Sequence, residues 1–307
     1  MADTTKIKHQ NRMKSRPMEQ GCYKHLIESL FGHQADEHLA VHSACATDIG
    51  ERKENQDLCH RDDRNAVYLV VDGMGGHQGG ALASQIAIET IPDEIVSSMD
   101  SGEFDSAKVE QCLQRGLQRA YHEMEFVASK CPDYRKMGCT MAIAAVINDR
   151  LFYTHLGDAR IYLYHKGKVE QLTKDESLVQ ELIDAGAVPS DAARTHRWRH
   201  VVTNCLTATG MRKTPHWKEL KLSAGDEILL TSDGLTDVVP DCVIEKRLRE
   251  NATPETSVRS LITEALDRHT HDNVSCVVAK FQPASQCASV TKVPVCSPDS
   301  VTTCETA

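Results

Sequence analysis

The sequence contains no Cys-x-x-Cys pair, although 12 of its 307 residues are cysteines. A structural zinc site or a compact disulfide framework requires cysteines at short, regular spacings, so we expect neither. Cys139, Cys205 and Cys276 lie within apolar runs. This placement indicates buried free thiols, which persist in the reducing environment of the cytoplasm.

Long apolar runs are also missing. The longest, such as residues 141–147, are far shorter than the roughly 20 residues that a transmembrane helix needs. No apolar segment follows the charged N-terminus, so we expect no secretory signal and no transmembrane segment. The sequence shows no internal repeat at the periods of solenoids or propellers, which argues against a repeat protein.

An excess of positive charge is absent as well. The chain has 44 acidic and 35 basic residues, a net charge of −9, which argues against a nucleic-acid-binding surface over most of the molecule. The first 24 residues differ, because they carry six basic and two acidic side chains. This basic arm is either a contact for a partner or a membrane surface, or a solvated and poorly ordered segment.

The composition that remains is that of an ordinary globular protein, with 40% hydrophobic and 26% charged residues. Changes in composition divide the chain into three regions. Residues 1–38 form an irregular basic extension, and residues 39–282 carry the patterns of one folded domain. Residues 283–307 are rich in Ser, Thr, Val and Pro without periodicity, which predicts a disordered tail.

Four segments of the central region carry helical signals: residues 81–91, 106–124, 177–185 and a helix that begins at Thr253-Pro254. Pro92 is expected to end the first helix, because proline lacks the N–H that a helix interior requires. Gly186 is suited to the C-cap of the third. Thr253 and Pro254 fit the N-cap and the first turn of the fourth.

Strand-like runs are more numerous and fall at about residues 40–47, 66–71, 140–147, 151–156, 159–165, 168–172, 217–222, 227–231 and 274–281. Short turns such as Asn148-Asp149 and Lys166-Gly167 separate several of them, and short turns join antiparallel neighbours. The sequence therefore predicts an α+β layered domain rather than a doubly wound parallel sheet.

One short pattern appears twice. An apolar run ends in Asp-Gly at residues 68–73 and again at residues 228–234. A buried strand that stops at a carboxylate places one oxygen ligand at a fixed end of a sheet, and two such strands can direct their carboxylates to one point. Asp-Gly after an apolar run is also a common hairpin turn, and that alternative is the better one for either copy alone.

Two further aspartates, Asp158 and Asp272, lie in comparable settings. Four carboxylates that converged without matching cations would repel one another strongly, so convergence would require bound metal. Ligands that are all oxygen favour hard cations such as Mg²⁺ and Mn²⁺.

Six motifs extend this set in a fixed order: Gly50-x-Arg52-x-x-Asn55-Gln56-Asp57, residues 71–77 (VDGMGGH), Gly138-Cys139-Thr140, residues 156–160 (LGDAR), residues 230–237 (LTSDGLTD) and Asp272-Asn273-Val274-Ser275. In residues and order they resemble the metal-dependent protein serine/threonine phosphatases of the PP2C (PPM) family, in particular its bacterial-type members. The resemblance covers roughly residues 40–281. It implies an α-β-β-α sandwich of two antiparallel sheets flanked by helices.

The resemblance also implies a centre of two Mn²⁺ or Mg²⁺ ions and a third, weaker ion. Asp72 would bridge the two ions, and the carbonyl of Gly73 would bind the second. Asp233 and Asp272 would complete the protein ligands of the first ion, and Asp158 would help to hold the third ion beside Asp233. As alternatives, Asp158 suits a hairpin turn and Asp272 suits the cap of a turn.

Two residues receive catalytic roles from the same resemblance. Asp57 would orient metal-bound water, and Arg52 would bind the substrate phosphate. Alternatively, Asp57 is a surface acid and Arg52 pairs in solvent with Glu51 or Glu54. Met74 stands where many eukaryotic members have a histidine proposed as general acid, so protonation of the leaving group is expected from metal-bound water.

The implied function is hydrolysis of phosphoserine and phosphothreonine in proteins by metal-activated water. The enzyme would reverse the phosphorylation carried out by a Ser/Thr kinase. We expect a monomer in the cytoplasm that does not bind nucleic acid. Alternatives are a pseudophosphatase that only binds or regulates, and a phosphoesterase for small metabolites. Residues 178–205 correspond to the variable flap of the family, and the basic, aromatic stretch 194–200 in it either recruits a phosphorylated protein segment or is a solvated loop.

Overall fold

The structure is a computed structural model that describes residues 39–99 and 106–284. The N-terminal extension predicted for residues 1–38 and residues 285–307 of the predicted tail lie outside the described residues. Within the described ranges, none of the helices combines the length and apolarity that a bilayer span requires.

The strands are β1 (Leu39–Asp48), β2 (Asp57–Asp62), β3 (Val67–Met74), β4 (Gly138–Ile147), β5 (Arg150–Leu156), β6 (Arg160–His165), β7 (Lys168–Gln171), β8 (Leu206–Thr207), β9 (Lys218–Lys221), β10 (Glu227–Thr231) and β11 (Val274–Pro283). The helices are α1 (His77–Met99), α2 (Ser106–Lys130), α3 (Leu178–Asp184), α4 (Asp233–Thr236), α5 (Asp241–Glu250) and α6 (Pro254–Asp267). Two 3₁₀ turns, Pro132–Lys136 and Ser190–Thr195, complete the described elements.

The strands form two antiparallel sheets. One has the order β1-β11-β10-β6-β7, and the other has the order β2-β3-β4-β5-β9, with β8 paired to β4. The turns at residues 148–149 and 166–167 join β4 to β5 and β6 to β7 as paired neighbours. The prediction of an α+β sandwich of two antiparallel sheets is confirmed.

Alternation along the strands creates three apolar layers. In β3, Leu69 and Val71 face α1 and α2, whereas Tyr68 and Val70 face the other sheet. In β10 of the other sheet, Leu229 faces outward and packs against α5 and α6. Successive side chains of a strand point to opposite faces, so a strand that is apolar on both faces can be buried on both. The order of layers is helix, sheet, sheet, helix.

The prediction that Pro92 ends the first helix is wrong, because α1 continues through Pro92 to Met99. Ile91 and Ile95, on either side of the proline, are both buried in the layer between α1, α2 and β3. A proline in a helix interior costs about 3 kcal/mol. Full burial of each isoleucine stabilises the fold by about 1.5–3 kcal/mol, which offsets that cost.

The other helix signals are confirmed. Residues 109–124 lie within α2, and Leu113, Leu117 and Met124 of that stripe are fully buried. The hydroxyl of Thr253 caps α6 by accepting a hydrogen bond from the N–H of Thr256. Gly186 follows α3 with a positive φ of 70°, a conformation that favours glycine.

Candidate metal centre

The two Asp-Gly pairs lie at one end of the layer between the sheets. Strand β3 continues through Asp72 and Gly73 to Met74, and α1 follows three residues later. Strand β10 ends at Thr231, and Asp233 begins α4. The first pair lies within a strand that leads to a helix, and the second pair begins a helix, so the hairpin alternative is wrong for both copies.

The register of β2 on β3 brings two of the carboxylates together. Asp57 is the direct cross-strand partner of Asp72. Asp72 has the same parity in β3 as Tyr68 and Val70, so its side chain points between the sheets. Ser232, from the other sheet, donates its hydroxyl hydrogen to Oδ2 of Asp57 at 2.7 Å. The two sheets thus meet at this acidic end.

Asp57 is 2% exposed, so the alternative that it is a surface acid is wrong. Asp158 is also buried, at 7% exposure. It follows Gly157 in the connection from β5, in one sheet, to β6, in the other. Because β5 and β6 are not paired, the hairpin alternative for Asp158 is wrong as well. The connection places its carboxylate between the sheets.

The guanidinium of Arg52 lies against the loop that precedes β11. Its Nη2 donates to Oδ2 of Asp272 at 2.6 Å, and its Nε donates to the carbonyl of His271 at 3.0 Å. Glu51 instead contacts Nδ1 of His271 at 2.5 Å. The alternative pairing of Arg52 with Glu51 or Glu54 is therefore not observed. Asp272 also accepts the N–H of Asn273 through Oδ1, so its capping role coexists with the pairing to Arg52.

Asn273 holds the loop that carries Arg52. Its Oδ1 accepts the N–H of Gln56 at 2.9 Å, and its Nδ2 donates to the carbonyls of Ile49 and Glu54. Gly50, with a φ of 57°, allows the two loops to approach, because a Cβ there would lie 2.1 Å from the carbonyl oxygen of Asp272. Asn273 belongs to the last of the six motifs, but the sequence alone did not indicate this role.

A cavity of about 870 Å³ opens at this end of the sandwich. Its lining includes all five predicted metal ligands, Asp72, Gly73, Asp158, Asp233 and Asp272, together with Arg52. Asp57 lies behind this wall. The structure thus brings all seven predicted site residues to one place, five of them carboxylates.

Proximity of like charges perturbs these carboxylates. Burial, and then the neighbouring charges of Asp57, Asp233 and Asp158, raise the pKa of Asp72 well above its ordinary value. Burial and the neighbouring carboxylates of Asp158 and Asp237 raise the pKa of Asp233 in the same way. Burial raises the pKa of Asp57 to about 6, although the hydrogen bond from Ser232 lowers it.

Burial, followed by the charge of Asp175, raises the pKa of Asp158 to about 7. Asp175 itself forms a two-pronged ion pair with Arg160, at 2.8 and 2.6 Å. The guanidinium of Arg160 is therefore already neutralised. Within the described residues, Asp57, Asp72, Asp158 and Asp233 form no ion pair, whereas Asp272 pairs with Arg52.

The donor atoms of this centre fit divalent cations. Among the described residues, five buried side-chain atoms have no hydrogen-bond partner, and three of them belong to the centre: Oδ1 of Asp57, Oγ1 of Thr140 and Oδ1 of Asp233. Buried polar atoms without partners are rare in native proteins unless a water or an ion satisfies them. The donors are all oxygen, which Mg²⁺ and Mn²⁺ prefer.

Two side chains at the cavity wall were not predicted. Asp237 lies one helical turn after Asp233, and its carboxylate is 3.5 Å from Nδ1 of His200. The ligand atoms of these three residues all lie within 4.8 Å of one another. The Asp-x-x-x-Asp spacing in residues 233–237 was a visible signal for the two carboxylates. His200 belongs to the flap stretch 194–200 that the sequence analysis singled out, but the sequence did not indicate its contact with Asp237.

The basic stretch of the flap lies beside the cavity. Arg194, Arg199 and His200 line it, and Arg194 also pairs with Asp241 at 3.2 Å. The guanidinium of Arg197 stacks on the ring of the exposed Trp198, with its central carbon 4.2 Å from the ring centre. The flap therefore presents Arg194, Arg199 and His200 at the acidic cavity, and the stacked pair of Arg197 and Trp198 lies in the same stretch of chain.

Comparison with known proteins agrees with this geometry. The chain is 28% identical to the serine/threonine phosphatase stp of Listeria innocua over 244 residues, which cover 78% of this chain and 96% of the relative. It is 33% identical to the serine/threonine protein phosphatase PstP of Mycobacterium tuberculosis over 78% of this chain but 45% of the relative.

A solved structure of the PstP catalytic domain in complex with two manganese ions superposes with a TM-score of 0.69 at 30% identity, covering 80% of this chain and 99% of that one. The sequence model of the protein phosphatase 2C family matches residues 46–281, which span both sheets and every motif of the centre. The chain belongs to the protein phosphatase 2C family.

Proposed function

We propose that this chain hydrolyses phosphoserine and phosphothreonine esters in proteins and depends on divalent metal ions. One observation carries the proposal: five carboxylates from separate parts of the chain converge around one cavity, and among the residues that the structure describes four of them, Asp57, Asp72, Asp158 and Asp233, form no ion pair. A fold does not tolerate such a cluster for stability. Divalent cations would convert the repulsion into attraction.

Asp72, Asp233, Asp272 and the carbonyl of Gly73 would hold two Mn²⁺ or Mg²⁺ ions, and Asp158 with Asp233 would help to hold a third. When bound, the ions would lower the pKa of a water molecule and stabilise negative charge on the phosphoryl group. The two manganese ions in the related PstP structure support Mn²⁺ as the first ion to test.

Arg52 would bind the substrate phosphate. Its side chain is 55% exposed at the cavity, and its guanidinium already binds carboxylate and carbonyl oxygens there. Because the fork of a guanidinium can bind two oxygens at once, it suits a phosphate group equally well. Asp57 is a positioning residue. Its Oδ2 accepts from Ser232, so its Oδ1 remains available to accept a hydrogen bond from a water molecule in the cavity.

The state of the cysteines supports a location in the cytoplasm. The eight cysteines within the described residues are all free thiols, which is typical of a reducing compartment. Phosphorylated serine and threonine in proteins are products of kinases, so a Ser/Thr kinase would supply the substrate. We infer that the chain acts as a monomer, which light scattering of the purified protein would test.

Two other functions are compatible with the fold. A pseudophosphatase is disfavoured because no carboxylate of the proposed centre is missing. A phosphoesterase for small metabolites is tested directly by substrate choice.

The decisive assay measures phosphate release from phosphopeptides and from a panel of metabolite phosphates, with Mn²⁺ and with a chelator, for the wild type and for Asp233→Asn. We expect Mn²⁺-dependent release from phosphopeptides by the wild type alone. Release that survives both chelation and Asp233→Asn would disprove the metal mechanism, and a strong preference for metabolites would disprove the substrate class.

A further inference from the structure

We propose that Ser84 is a positioning residue for the metal centre, because its hydroxyl group joins α1 to the backbone that carries Gly73. The carbonyl of Gly73 is a ligand that we propose for one of the ions, so this inference rests on the proposed function and deepens it. Its new element is a hydrogen bond from a residue that does not line the cavity. This bond would set the position of a ligand inside the cavity, and thereby the affinity for Mn²⁺.

One backbone carbonyl accepts both of the hydrogen bonds that matter here. The carbonyl of Gln56 accepts the hydroxyl hydrogen of Ser84 at 2.7 Å and the N–H of Gly73 at 3.2 Å. The next pair of residues along the two strands is Asp57 and Asp72, which are direct cross-strand partners. Ser84 therefore acts at the point where β2 and β3 reach the cavity.

No side chain separates this end of β3 from α1. A Cβ at Gly73 would lie 2.2 Å from the carbonyl oxygen of Gly80 and 2.6 Å from Oγ of Ser84. A Cβ at Gly80 would lie 2.7 Å from the carbonyl oxygen of Gly73. The two backbones are in direct contact, so the position of α1 limits where the Gly73 carbonyl can lie.

The serine stands on a rigid support. Ser84 is fully buried, and so are Ala83 and Ala87 of the same helix. Both alanines belong to the apolar layer that contains Val71 of β3. Close packing in this layer fixes the middle of β3 against α1. The hydrogen bond of Ser84 does the same for the residues that follow, where the apolar layer ends and the cavity begins.

Loss of the hydroxyl should weaken metal binding. The carbonyl of Gln56 would keep its longer bond to Gly73 and lose its shorter bond to α1. A metal ligand has to be held within about half an ångström of its productive position. Removal of a hydrogen-bonding group behind a ligand typically lowers metal affinity by about 10–100-fold. Because Ser84 acts through the Gln56 carbonyl rather than on Gly73 directly, we expect an effect of about tenfold.

Thr90 provides a matched control in the same helix. It is also buried, and its Oγ1 donates to the carbonyl of Ile86 at 2.7 Å. Thr90→Val and Ser84→Ala each remove one buried hydroxyl group with the same donor–acceptor distance. The bond lost in Thr90→Val lies within α1, whereas the bond lost in Ser84→Ala joins α1 to the metal centre.

The test is calorimetric titration of the full chain with Mn²⁺ for the wild type, Ser84→Ala and Thr90→Val, together with the Tm of each protein in chelator. We expect similar, small decreases in Tm for both variants. The dissociation constant for Mn²⁺ should rise about tenfold in Ser84→Ala and stay within about twofold of the wild-type value in Thr90→Val. Ser84→Cys retains a weak S–H donor and should give an intermediate value, and it carries the test if Ser84→Ala does not fold.

Two results would overturn the inference alone: a dissociation constant in Ser84→Ala within twofold of the wild type, or an equal rise in Thr90→Val. A wild-type chain that binds no Mn²⁺ would overturn the proposed function instead. A second measurement needs no metal. In chelator, hydrogen exchange at the amide of Gly73 should be at least about fivefold faster in Ser84→Ala than in Thr90→Val. Equal exchange rates in the two variants would show that Ser84 does not hold this peptide group.

Discussion

The middle and the end of the layer between the two sheets differ sharply, although the same strands build both. In the middle, Val70 and Leu230 are fully buried among apolar side chains. Asp72 follows Val70 by two residues in β3, and Ser232 follows Leu230 by two residues, directly after the end of β10. The middle gains stability from each side chain it buries, whereas the end collects like charges that resist burial. The difference shows that the middle of the layer stabilises the fold, whereas the end carries the proposed metal centre.

Substitution of Asp72, which we propose would hold both ions, should separate the two regions most strongly. In Asp72→Asn the proposed ions lose a shared ligand, so phosphopeptide kcat/KM should fall by about a thousandfold or more. The Tm in chelator should stay equal or rise, because a repelled charge has been removed. Steady-state kinetics and thermal unfolding measure the two effects. A fall in Tm without a loss of activity would show that Asp72 stabilises the fold and is not needed for catalysis.

Removal of an apolar side chain from the middle should do the opposite. Leu230→Ala leaves a cavity in a fully buried position and should destabilise the fold by about 2–5 kcal/mol. The number of Mn²⁺ ions bound per folded chain should not change. Denaturant unfolding and a metal count check the two parts, and a lost ion would mean that the regions are not separable.

The pH dependence of stability should differ with and without metal. In chelator, Asp57 and Asp158 have folded pKa values of about 6 and about 7, raised from the ordinary 3.8. Groups with raised folded pKa values contribute stability below pH 4 that is lost as the pH rises through 6 and 7. The Tm in chelator should therefore fall between pH 4.5 and pH 8.

Mn²⁺ should raise the Tm most at pH 8, where protons no longer compete for the carboxylates. Calorimetric scans at several pH values test both trends. If the Tm in chelator increased over the same pH range, deprotonation of these carboxylates would not destabilise the fold, and the predicted repulsion among them would be wrong.

The smallest effect is expected outside the centre, on the flap. Exchange of both Arg197 and Arg199 for Ala should lower turnover of a phosphoprotein by roughly three- to tenfold, since exposed contacts are individually weak. Turnover of a small aryl phosphate should change less. Equal losses on both substrates would show that the basic stretch does not recruit the protein part of the substrate.

Much of this fold could be predicted because buried strands and helices show characteristic patterns of apolar residues in the sequence. The runs at 140–147 and 274–281 are apolar on both faces, and both became central strands. Strand β2 was not predicted, because its sequence DLCHRD lies at an edge of its sheet and carries little apolar alternation. Helix α5 was also missed, since only Ile244 and Leu248 of its ten residues are buried.

For the candidate site, sequence reasoning identified residues whose motif fixes a position at a strand end, such as Asp72 and Asp233. It could not find contacts that depend on how separate elements pack. The hydrogen bond from Ser232 to Asp57 crosses between sheets, and His200 reaches Asp237 from a loop. Such pairs have no constant spacing along the chain, so only the structure reveals them.

The acidic end of the sandwich, we infer, binds divalent cations. Equilibrium dialysis of the chain against Mn²⁺, with Asp72→Asn in parallel, measures this most directly. We expect at least two ions per wild-type chain and a lower number, or much weaker binding, in Asp72→Asn. A wild-type chain that binds no Mn²⁺, or a variant that binds it as the wild type does, would show that this acidic end is not a metal centre.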